Sequence, residues 1–407
     1  MLREGLVATY RWKSFIQFLC EVYQTPASGR QALADELLAS PGGFPWVERN
    51  KATFVFDSPS AQNVALNIDI VNRDPPFETM VRLENTNLWY FQRHFERDAL
   101  VDYMFAIDDP GTPLANELDL MQRVGRHWQA DPLNAQSIRA QSINTSILQM
   151  PRARPVPSWR AMPGVPRGRI YRHRFSSAQL NFSQRSLWVY TPPDYDASAA
   201  KGYRLLILLD GQWAMNALEV PYIADALIKH GRMQPIIMAM LAGGSQSERL
   251  NEYIGNDKHY AMLAAELLPF LQAEHRIQPL NLGLAGVGEG AVAAVHATLK
   301  NPAIFEHLIM MSPPLGNRTS VFLLKEIAER FRDLPILPKR LFHSVGRYEH
   351  DMRYVQPALA LRGILERRRL HDPDLAYRFV ELGSGHSLAA FKSAMPEALA
   401  HAFPPES

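Results

Sequence analysis

From residue 186 to the C-terminus, short and almost wholly apolar segments alternate with segments of helical periodicity. The apolar segments read "SLWVYTPP", "RLLILLDG", "PIIMAML", "LGLAG", "HLIMMSPP", "RLFHSVG" and "AYRFVEL". The segments between them predict helices at 219–230, 259–274, 290–300, 319–332 and 354–369, with one more helix after the last strand. Buried strands that alternate with helices predict a mostly parallel sheet with helices on both faces. Ligands of such sheets bind at the carboxyl ends of the strands.

The preceding part of the chain has a different organisation. Residues 13–40 carry two short helical patterns, separated by Thr25-Pro26 and ended by the breaker cluster "SPGGFP". From residue 51, short segments with a period of two predict an antiparallel, immunoglobulin-like β-sandwich. The stretch 110–168 is rich in Pro, Asn, Gln and Arg, and this composition predicts an extended linker. We therefore expect a helical extension over 1–45, a β-sandwich domain with its linker over 46–158, and an α/β domain over 159–407.

Composition excludes several classes of function. A formal net charge of +2 over 407 residues gives no strong field that would recruit nucleic acid or a membrane surface. Cys20 is the single cysteine, so an internal disulfide and a thiolate metal cluster are excluded. No apolar stretch reaches about 18 residues and the N-terminus lacks the pattern of a signal peptide, so we expect a cytoplasmic protein. We expect a small-molecule ligand and neither a cofactor nor a metal site.

Polar residues and glycines follow four of the predicted strands, at one edge of the sheet. They lie in "LLDGQW", in "GVGEG" (286–290), in "SVGRYEHD" with Glu349 and Asp351, and in "ELGSGHS" with His386. The second of these has the spacing of the G-x-S-x-G turn that carries the nucleophile of α/β-hydrolases, with Gly288 at the nucleophile position. The order of turn, acid and histidine along the chain is also that of α/β-hydrolases. The sequence thus predicts an α/β-hydrolase domain.

Within that fold, each residue type has a definite chemical role. His386 is the candidate general base, and either Glu349 or Asp351 is the candidate acid that orients it. Backbone N–H groups are the candidate donors to an oxyanion, and they belong to Gly211, Gln212 and Glu289. Gly288 has no side chain, so the usual acyl-enzyme cannot form there. Ser312 ends the next predicted strand but is not on a comparable turn.

The same turn also fits the dinucleotide-binding pattern G-x-G-x-x-A over residues 286–291. That pattern needs an acidic residue near the end of the next strand, and "LIMMSPP" provides none. Glu289 would also place a negative charge beside the pyrophosphate. The hydrolase interpretation is therefore favoured.

Taken together, the motifs resemble those of the enterochelin (ferric-enterobactin) esterases over roughly residues 40–400. The resemblance is carried by "ATFVFDSP", "ADPLNAQS" (130–137), "RSLWVYTP", "LLDGQWA", "RLNEYIGN" (249–256), "ELLPFL" and "GSGH". It implies a β-sandwich followed by an α/β-hydrolase domain, and cleavage of the ester bonds of a catecholate siderophore. It also implies substrate-binding roles for Arg249, Glu252 and Asn256, by their spacing. Arg249 and Trp213 would contact the anionic ligand, with Glu252 bracing the guanidinium.

Two departures from the family pattern concern the chemistry itself. The family's turn reads Gly-Gln-Ser-Phe-Gly-Gly, whereas this chain has Gly-Val-Gly-Glu-Gly-Ala over residues 286–291. The family usually has Asp after the histidine, and here Ser387 follows His386. Three hypotheses follow: an esterase for a ferric catecholate siderophore, an inactive protein that binds such a ligand, and an esterase for another ester.

Overall fold

The computed structural model describes residues 10–70, 73–140, 143–316 and 321–406, with the backbone alone described at 321–323. The chain divides into two compact units. One contains the residues up to Pro155 together with Gly383–Ala389, and the other contains Val156–Leu382 and the residues from Ala390 onward. The segment that carries His386 therefore groups with the first unit.

The first unit is built on two antiparallel sheets. Its helices are α1 (Phe15–Gln24), α2 (Ala27–Leu38) and α3 (Leu120–His127). Its strands are β1 (Trp46–Glu48), β2 (Lys51–Asp57), β3 (Val64–Ile68), β4 (Phe77–Thr79), β5 (Val81–Arg82), β6 (Leu88–His94), β7 (Leu100–Ile107), β8 (Trp128–Gln129), β9 (Ser137–Ala140) and β10 (Ile143–Gln149). One sheet has the order β1-β2-β6-β5, and the other has the order β4-β3-β7-β10-β9 with β8 beside β7.

The two predicted N-terminal helices are confirmed, and α1 packs on the first sheet. The Ser14 side chain accepts a hydrogen bond from the N–H of Gln17 and so caps α1. Phe15 and Phe18 are fully buried in a cluster that also contains Trp46 and Val55 of the sheet. Burial of aromatic side chains at this helical spacing holds the extension on the sheet.

Two predictions for this region are wrong. The stretch 110–168 is not a continuous linker, because α3, β8, β9 and β10 lie within it. In β10, Ile147 and Leu148 are buried and the strand pairs with β7, but Pro- and Arg-rich flanks obscured its short alternating pattern. The segment "FETMVRLEN" is also two strands rather than one, since β4 joins the sheet of β3 and β5 joins that of β6.

The second unit contains the predicted α/β sheet, with α12 beginning in the segment that groups with the first unit. Its strands are β11 (Arg169–Ser177), β12 (Phe182–Thr191), β13 (Arg204–Leu209), β14 (Ile236–Leu241), β15 (Leu282–Val287), β16 (Phe305–Met311), β17 (Arg340–Gly346) and β18 (Ala376–Leu382). The helices are α4 (Gly211–Met215), α5 (Val220–Lys229), α6 (Gln246–Tyr253), α7 (Asp257–Met262), α8 (Leu268–Glu274), α9 (Glu289–Lys300), α10 (Val321–Asp333), α11 (Gln356–His371) and α12 (Leu388–Ala402). Single π-helical turns, Leu263–Leu267 and Asp351–Val355, precede α8 and α11.

The sheet has the order β11-β12-β14-β13-β15-β16-β17-β18, with β11 and β12 antiparallel and the rest parallel. This confirms the predicted α/β-hydrolase architecture, with β15 at its centre. All six residues of β14 are buried, as expected for a strand covered on both faces. The first two residues of the helix predicted at 319–332 lie outside the described residues.

The sequence patterns did not predict β11 or α6. The edge strand β11 buries only two of its nine residues, so it lacks an apolar run. Helix α6 is short and polar, with the sequence "QSERLNEY".

Among the described residues, no helix is long and apolar enough to cross a membrane.

Candidate functional site

The turn between β15 and α9 has the sharp backbone predicted for it. Gly288 stands between the two elements with φ 56° and ψ −126°, and its N–H donates to the carbonyl of Met311 at 2.9 Å. A Cβ on Gly286 would overlap the carbonyl of Gly290, so β15 and α9 approach too closely for any other residue there. The predicted strand–turn–helix at residues 286–290 is thus confirmed as a backbone feature.

This conformation explains how glycine is tolerated at the apex. A residue with a Cβ would be strained at a positive φ, at a cost of about 1–3 kcal/mol. Glycine adopts the same dihedrals without that cost. Gly288 therefore preserves the shape of the turn but presents no hydroxyl to a substrate.

Ser312 lies at the end of the neighbouring strand β16, but its surroundings differ. It has φ 48° and is fully buried, and its N–H donates to the carbonyl of Ser344 at 2.8 Å. Its Oγ has no hydrogen-bond partner within the described residues. A buried hydroxyl without a base is not an activated nucleophile.

Below the turn lies a buried ion pair between Asp210 and Arg249. Asp210 follows β13 in a left-handed conformation (φ 56°, ψ 48°), and Arg249 lies on α6. The Arg249 Nε and Nη2 atoms donate to the two carboxylate oxygens of Asp210, each at 2.8 Å. The Tyr253 hydroxyl lies 3.3 Å from Asp210 Oδ1, and the Arg249 guanidinium lies over the Trp213 ring at 4.7 Å. Paired charge-assisted bonds of this kind fix both side chains.

Glycines make room for this pair. A Cβ on Gly243 would overlap Asp210 Oδ1, and one on Gly290 would lie 3.0 Å from Asp210 Oδ2. Gly290 is also the last glycine of the turn. The Asp210 carboxylate is therefore packed directly beneath the first residues of α9.

Burial governs the protonation of the pair and its neighbour. Burial raises the pKa of Asp210, and the hydrogen bonds and charge of Arg249 offset part of that rise. Burial also raises the pKa of Tyr253, and the Asp210 charge raises it further, so the phenol stays neutral.

The structure contradicts the expected bracing of Arg249 by Glu252, while the substrate-binding roles expected for Arg249, Glu252 and Asn256 stay predictions. Arg249 is 4% exposed and its Nη1 donates to Gln246, so most of its donors are already used by the protein. Glu252 does not brace it. Instead, Glu252 forms a bidentate pair with Arg185 of β12, at 2.6 and 2.5 Å. A direct contact between Arg249 and a ligand would require the guanidinium to leave Asp210.

Asn256 caps the next helix. Its Oδ1 accepts from the N–H of Lys258 at 2.9 Å, at the start of α7. Three residues that share one motif therefore have three separate structural tasks. Arg249 ties α6 to the end of β13, Glu252 ties α6 to β12, and Asn256 caps α7.

A cation that sequence reasoning missed lies at the turn itself. Arg353 Nη2 lies 3.2 Å from Oε1 of Glu289, the first residue of α9, while Arg249 Nη2 lies 3.7 Å from Oε2. The Arg353 side chain is 38% exposed, against 5% for Arg249. Arg353 belongs to a π-helical turn, a feature that often marks functional sites but has no simple sequence pattern.

The two candidate acids lie in different environments. Glu349 is 4% exposed and follows β17, with its N–H donating to the carbonyl of Gly346. Asp351 is exposed, and its Oδ1 accepts from Gln356 at 3.1 Å. The burial favours Glu349 as the orienting acid, because a carboxylate held out of water interacts more strongly with an imidazolium.

The predicted oxyanion donors lie at helix starts, where N–H groups have no partner within the helix. Gly211 opens α4, and Glu289 opens α9. Gln212 uses its side-chain oxygen to accept from the N–H of Gly243 at 2.9 Å. Their joint role toward an oxyanion stays a prediction.

A small, mostly apolar cavity lies beside the turn. Its volume is about 20 Å³, which is enough for roughly one water molecule. It is lined by Leu208, Leu209, Asp210, Trp213, Ala214, Leu218, Ala285, Gly286, Val287, Ile309 and Met395. Within the described residues, no group of His, Cys, Asp or Glu side chains is arranged to hold a metal ion.

His386 lies in Gly383–Ala389, in the first unit, whereas Gly288 and both candidate acids lie in the second. The convergence of His386 with the turn therefore stays a prediction.

Comparison with known proteins was made at the level of families and of structures. The family model described as "Putative esterase" matches residues 177–402. The model described as "Enterochelin esterase, N-terminal" matches residues 47–159. A search of curated protein sequences finds no match.

Solved structures with the same fold include two bacterial enzymes. The enterobactin esterase of Shigella flexneri, crystallised in the presence of enterobactin, is 21% identical with a TM-score of 0.69, covering 86% of this chain and 92% of that one. The ferric enterobactin esterase of Salmonella typhimurium is 21% identical with a TM-score of 0.70, covering 88% and 95%. At this identity, the likeness is one of fold.

Proposed function

Since the chain belongs to the enterochelin esterase family, we propose that it binds an ester of the catecholate siderophore type at the carboxyl edge of its parallel sheet. We propose further that it does not cleave that ester through a serine acyl-enzyme. The observation that carries this proposal is Gly288, which holds the dihedral angles of the turn without a nucleophile. The sequence further predicts a cytoplasmic location.

The residues around the turn support a ligand of this class. Arg353 presents a partly exposed guanidinium next to the N-terminus of α9, and both attract anionic oxygens. Trp213 provides aromatic surface nearby, at the cavity beside the turn. A catecholate ligand combines anionic oxygens with flat rings. The Shigella enzyme, with the same fold, was crystallised in the presence of enterobactin.

The rival proposal keeps hydrolysis without the serine. In this alternative, a water molecule activated by His386 or Glu289 attacks the ester. The rate would be as low as the activity that remains in hydrolases whose catalytic triad has been removed. Glu289 lies at the turn, although its carboxylate is paired with Arg353. Slow turnover that depends on His386 would favour this alternative.

The test compares the unmodified protein with Gly288→Ser and Gly288→Ala. The alanine variant is the matched control because it adds the same backbone strain without a hydroxyl. Each protein is titrated with ferric enterobactin by tryptophan quenching, and release of 2,3-dihydroxybenzoylserine is followed by chromatography. We expect all three to bind, and the serine variant alone to release product quickly.

Two outcomes would overturn the proposal. If the unmodified protein did not bind ferric enterobactin, the proposed class of ligand would be wrong. Product release by the unmodified and alanine proteins at the rate of the serine variant would show that the turn does not provide the nucleophile.

A further inference from the structure

The segment that carries His386 lies against the strands of the first unit. The N–H of Leu100, the first residue of β7, donates to the carbonyl of Gly383 at 2.8 Å. A Cβ on Gly385 would overlap the carbonyl of Asp69, and a Cβ on Gly383 would lie 2.7 Å from the carbonyl of Asp98. The two glycines therefore allow a backbone-to-backbone approach that other residues would prevent.

A buried carboxylate completes this contact. Asp102 of β7 is 8% exposed, and its Oδ2 lies 3.5 Å from the N–H of Ala389. Burial raises its pKa to about 7, while hydrogen bonds from the N–H groups of Ala389 and Leu388 and from the Ser387 side chain lower it. Asp102 thus accepts hydrogen bonds from the residues that follow His386, at the start of α12.

Without such an anchor, this segment would be costly to order. It reads Gly-Ser-Gly-His-Ser, and fixing the backbone of each residue costs about 1–2 kcal/mol of conformational entropy, with glycine the most expensive. Local secondary structure does not cover this cost, because His386 precedes α12 and follows β18. The order must come from contacts with β7, with Asp98 before it and with Asp69 after β3.

We propose that Asp102 is a positioning residue, which fixes the backbone on the C-terminal side of His386 and thereby sets the orientation of the imidazole. The β7 strand of the first unit then fixes the backbone next to this histidine, which groups with the same unit. This inference rests on the proposed role of His386 as the base. A mere cap of α12 would stabilise the helix without affecting the histidine, and the experiment separates the two.

The test uses Asp102→Asn and a matched control, Asp131→Asn. Asp131 is a 3% exposed carboxylate of the same unit, bonded by the Tyr103 hydroxyl at 2.6 Å and by the Leu133 N–H at 2.8 Å. Amide hydrogen exchange of residues 383–389 and the NMR titration of the His386 ring are measured in the full chain. The His386 signal is assigned with His386→Gln.

We expect Asp102→Asn to speed exchange in 383–389 by tenfold or more and to shift the midpoint of the His386 titration. Asp131→Asn should leave both unchanged. A second variant, Ser387→Ala, removes one donor to Asp102 and should speed the same exchange to a smaller degree. The proposal would be overturned if the two Asn variants changed the exchange of residues 383–389 equally. It would also be overturned if neither Asp102→Asn nor Ser387→Ala changed that exchange.

Neither readout needs a ligand or turnover, so this test is independent of the proposed function. If the segment responds as expected but Gly288→Ser retains its turnover when His386 is replaced by Ala, the anchoring stands and the proposed role of His386 fails.

Discussion

Two glycine-rich loops follow strands of the same parallel sheet, and they are held in opposite ways. The loop after β15, "GVGEG", is fixed by neighbours in its own unit: Gly286 packs against the start of α9, and Gly290 packs over Asp210. The loop after β18, "GSGHS", groups with the first unit and is fixed by contacts there with Leu100, Asp102 and the Asp69 carbonyl. The first loop is held by residues of the second unit, and the second loop by residues far earlier in the sequence, such as Asp102, which is 287 positions from Ala389.

Because the two loops are held by different contacts, different substitutions should change their conformations. The first keeps its shape although its apex residue has no nucleophile, because the glycines and the ion pair below determine it. The second should lose its shape when residues far earlier in the sequence, such as Asp102, are changed. Substitutions in the two loops should therefore differ in their effect on stability.

Breaking the ion pair beneath the first loop should have the largest effect. Arg249→Met leaves the Asp210 carboxylate buried without its partner, which should lower the free energy of unfolding by about 3–5 kcal/mol. The control is Arg353→Met, whose partner Glu289 is less buried and whose loss should cost at most about 1 kcal/mol. Urea denaturation of both variants measures this. Equal losses would mean that the buried pair does not support the loop.

Crowding the second loop should come next. Gly385→Ala drives a Cβ into the Asp69 carbonyl and should lower the free energy of unfolding by about 3 kcal/mol, as overpacking does. Gly125→Ala is the control, because among the described residues no atom beyond its own helix backbone and chain neighbours lies within 4 Å of the added Cβ, and alanine favours the helix by up to about 1 kcal/mol. A Gly385 variant as stable as the Gly125 variant would contradict the close contact.

Changing the apex of the first loop should cost less. Gly288→Ala adds a side chain at φ 56° and should lower the free energy of unfolding by about 1–3 kcal/mol, because a residue with a Cβ is strained there. Gly288→Ser should behave alike within a few tenths of a kcal/mol. Thermal denaturation compares the three proteins. A stabilised alanine variant would show that the positive φ is not maintained.

The last prediction concerns the dependence of stability on pH rather than the stability at one pH. Burial raises the pKa of Asp102 to about 7 in the folded protein, whereas an exposed Asp titrates near about 4. The folded state then holds a proton that the unfolded state has lost, so this group's contribution to stability falls from about pH 4 to pH 7. In Asp102→Asn, the denaturation midpoint should therefore depend less on pH across that range than it does in the unmodified protein. An unchanged slope would show that Asp102 ionises normally.

The contrast between the loops also explains what could be predicted from the sequence. The turn at residues 286–290 and the parallel sheet follow from glycine spacing and apolar runs, which are local signals. Strands β9 and β10 were hidden in a Pro-rich stretch, and α6 was too short and polar to detect. The partner of Glu252 is Arg185, 67 positions away, and no local pattern identifies such a pair. The grouping of His386 with the first unit likewise depends on tertiary contacts alone.

We propose that the first loop keeps the backbone of a nucleophile turn without the nucleophile. The most direct measurement is the intact mass of the unmodified protein and of Gly288→Ser after incubation with a fluorophosphonate, which labels activated serines. We expect no adduct on the unmodified protein and one adduct on the serine variant, located at residue 288 by peptide mapping. An adduct on the unmodified protein, at Ser312 or any other serine, would contradict it, as would a serine variant that stays unlabelled.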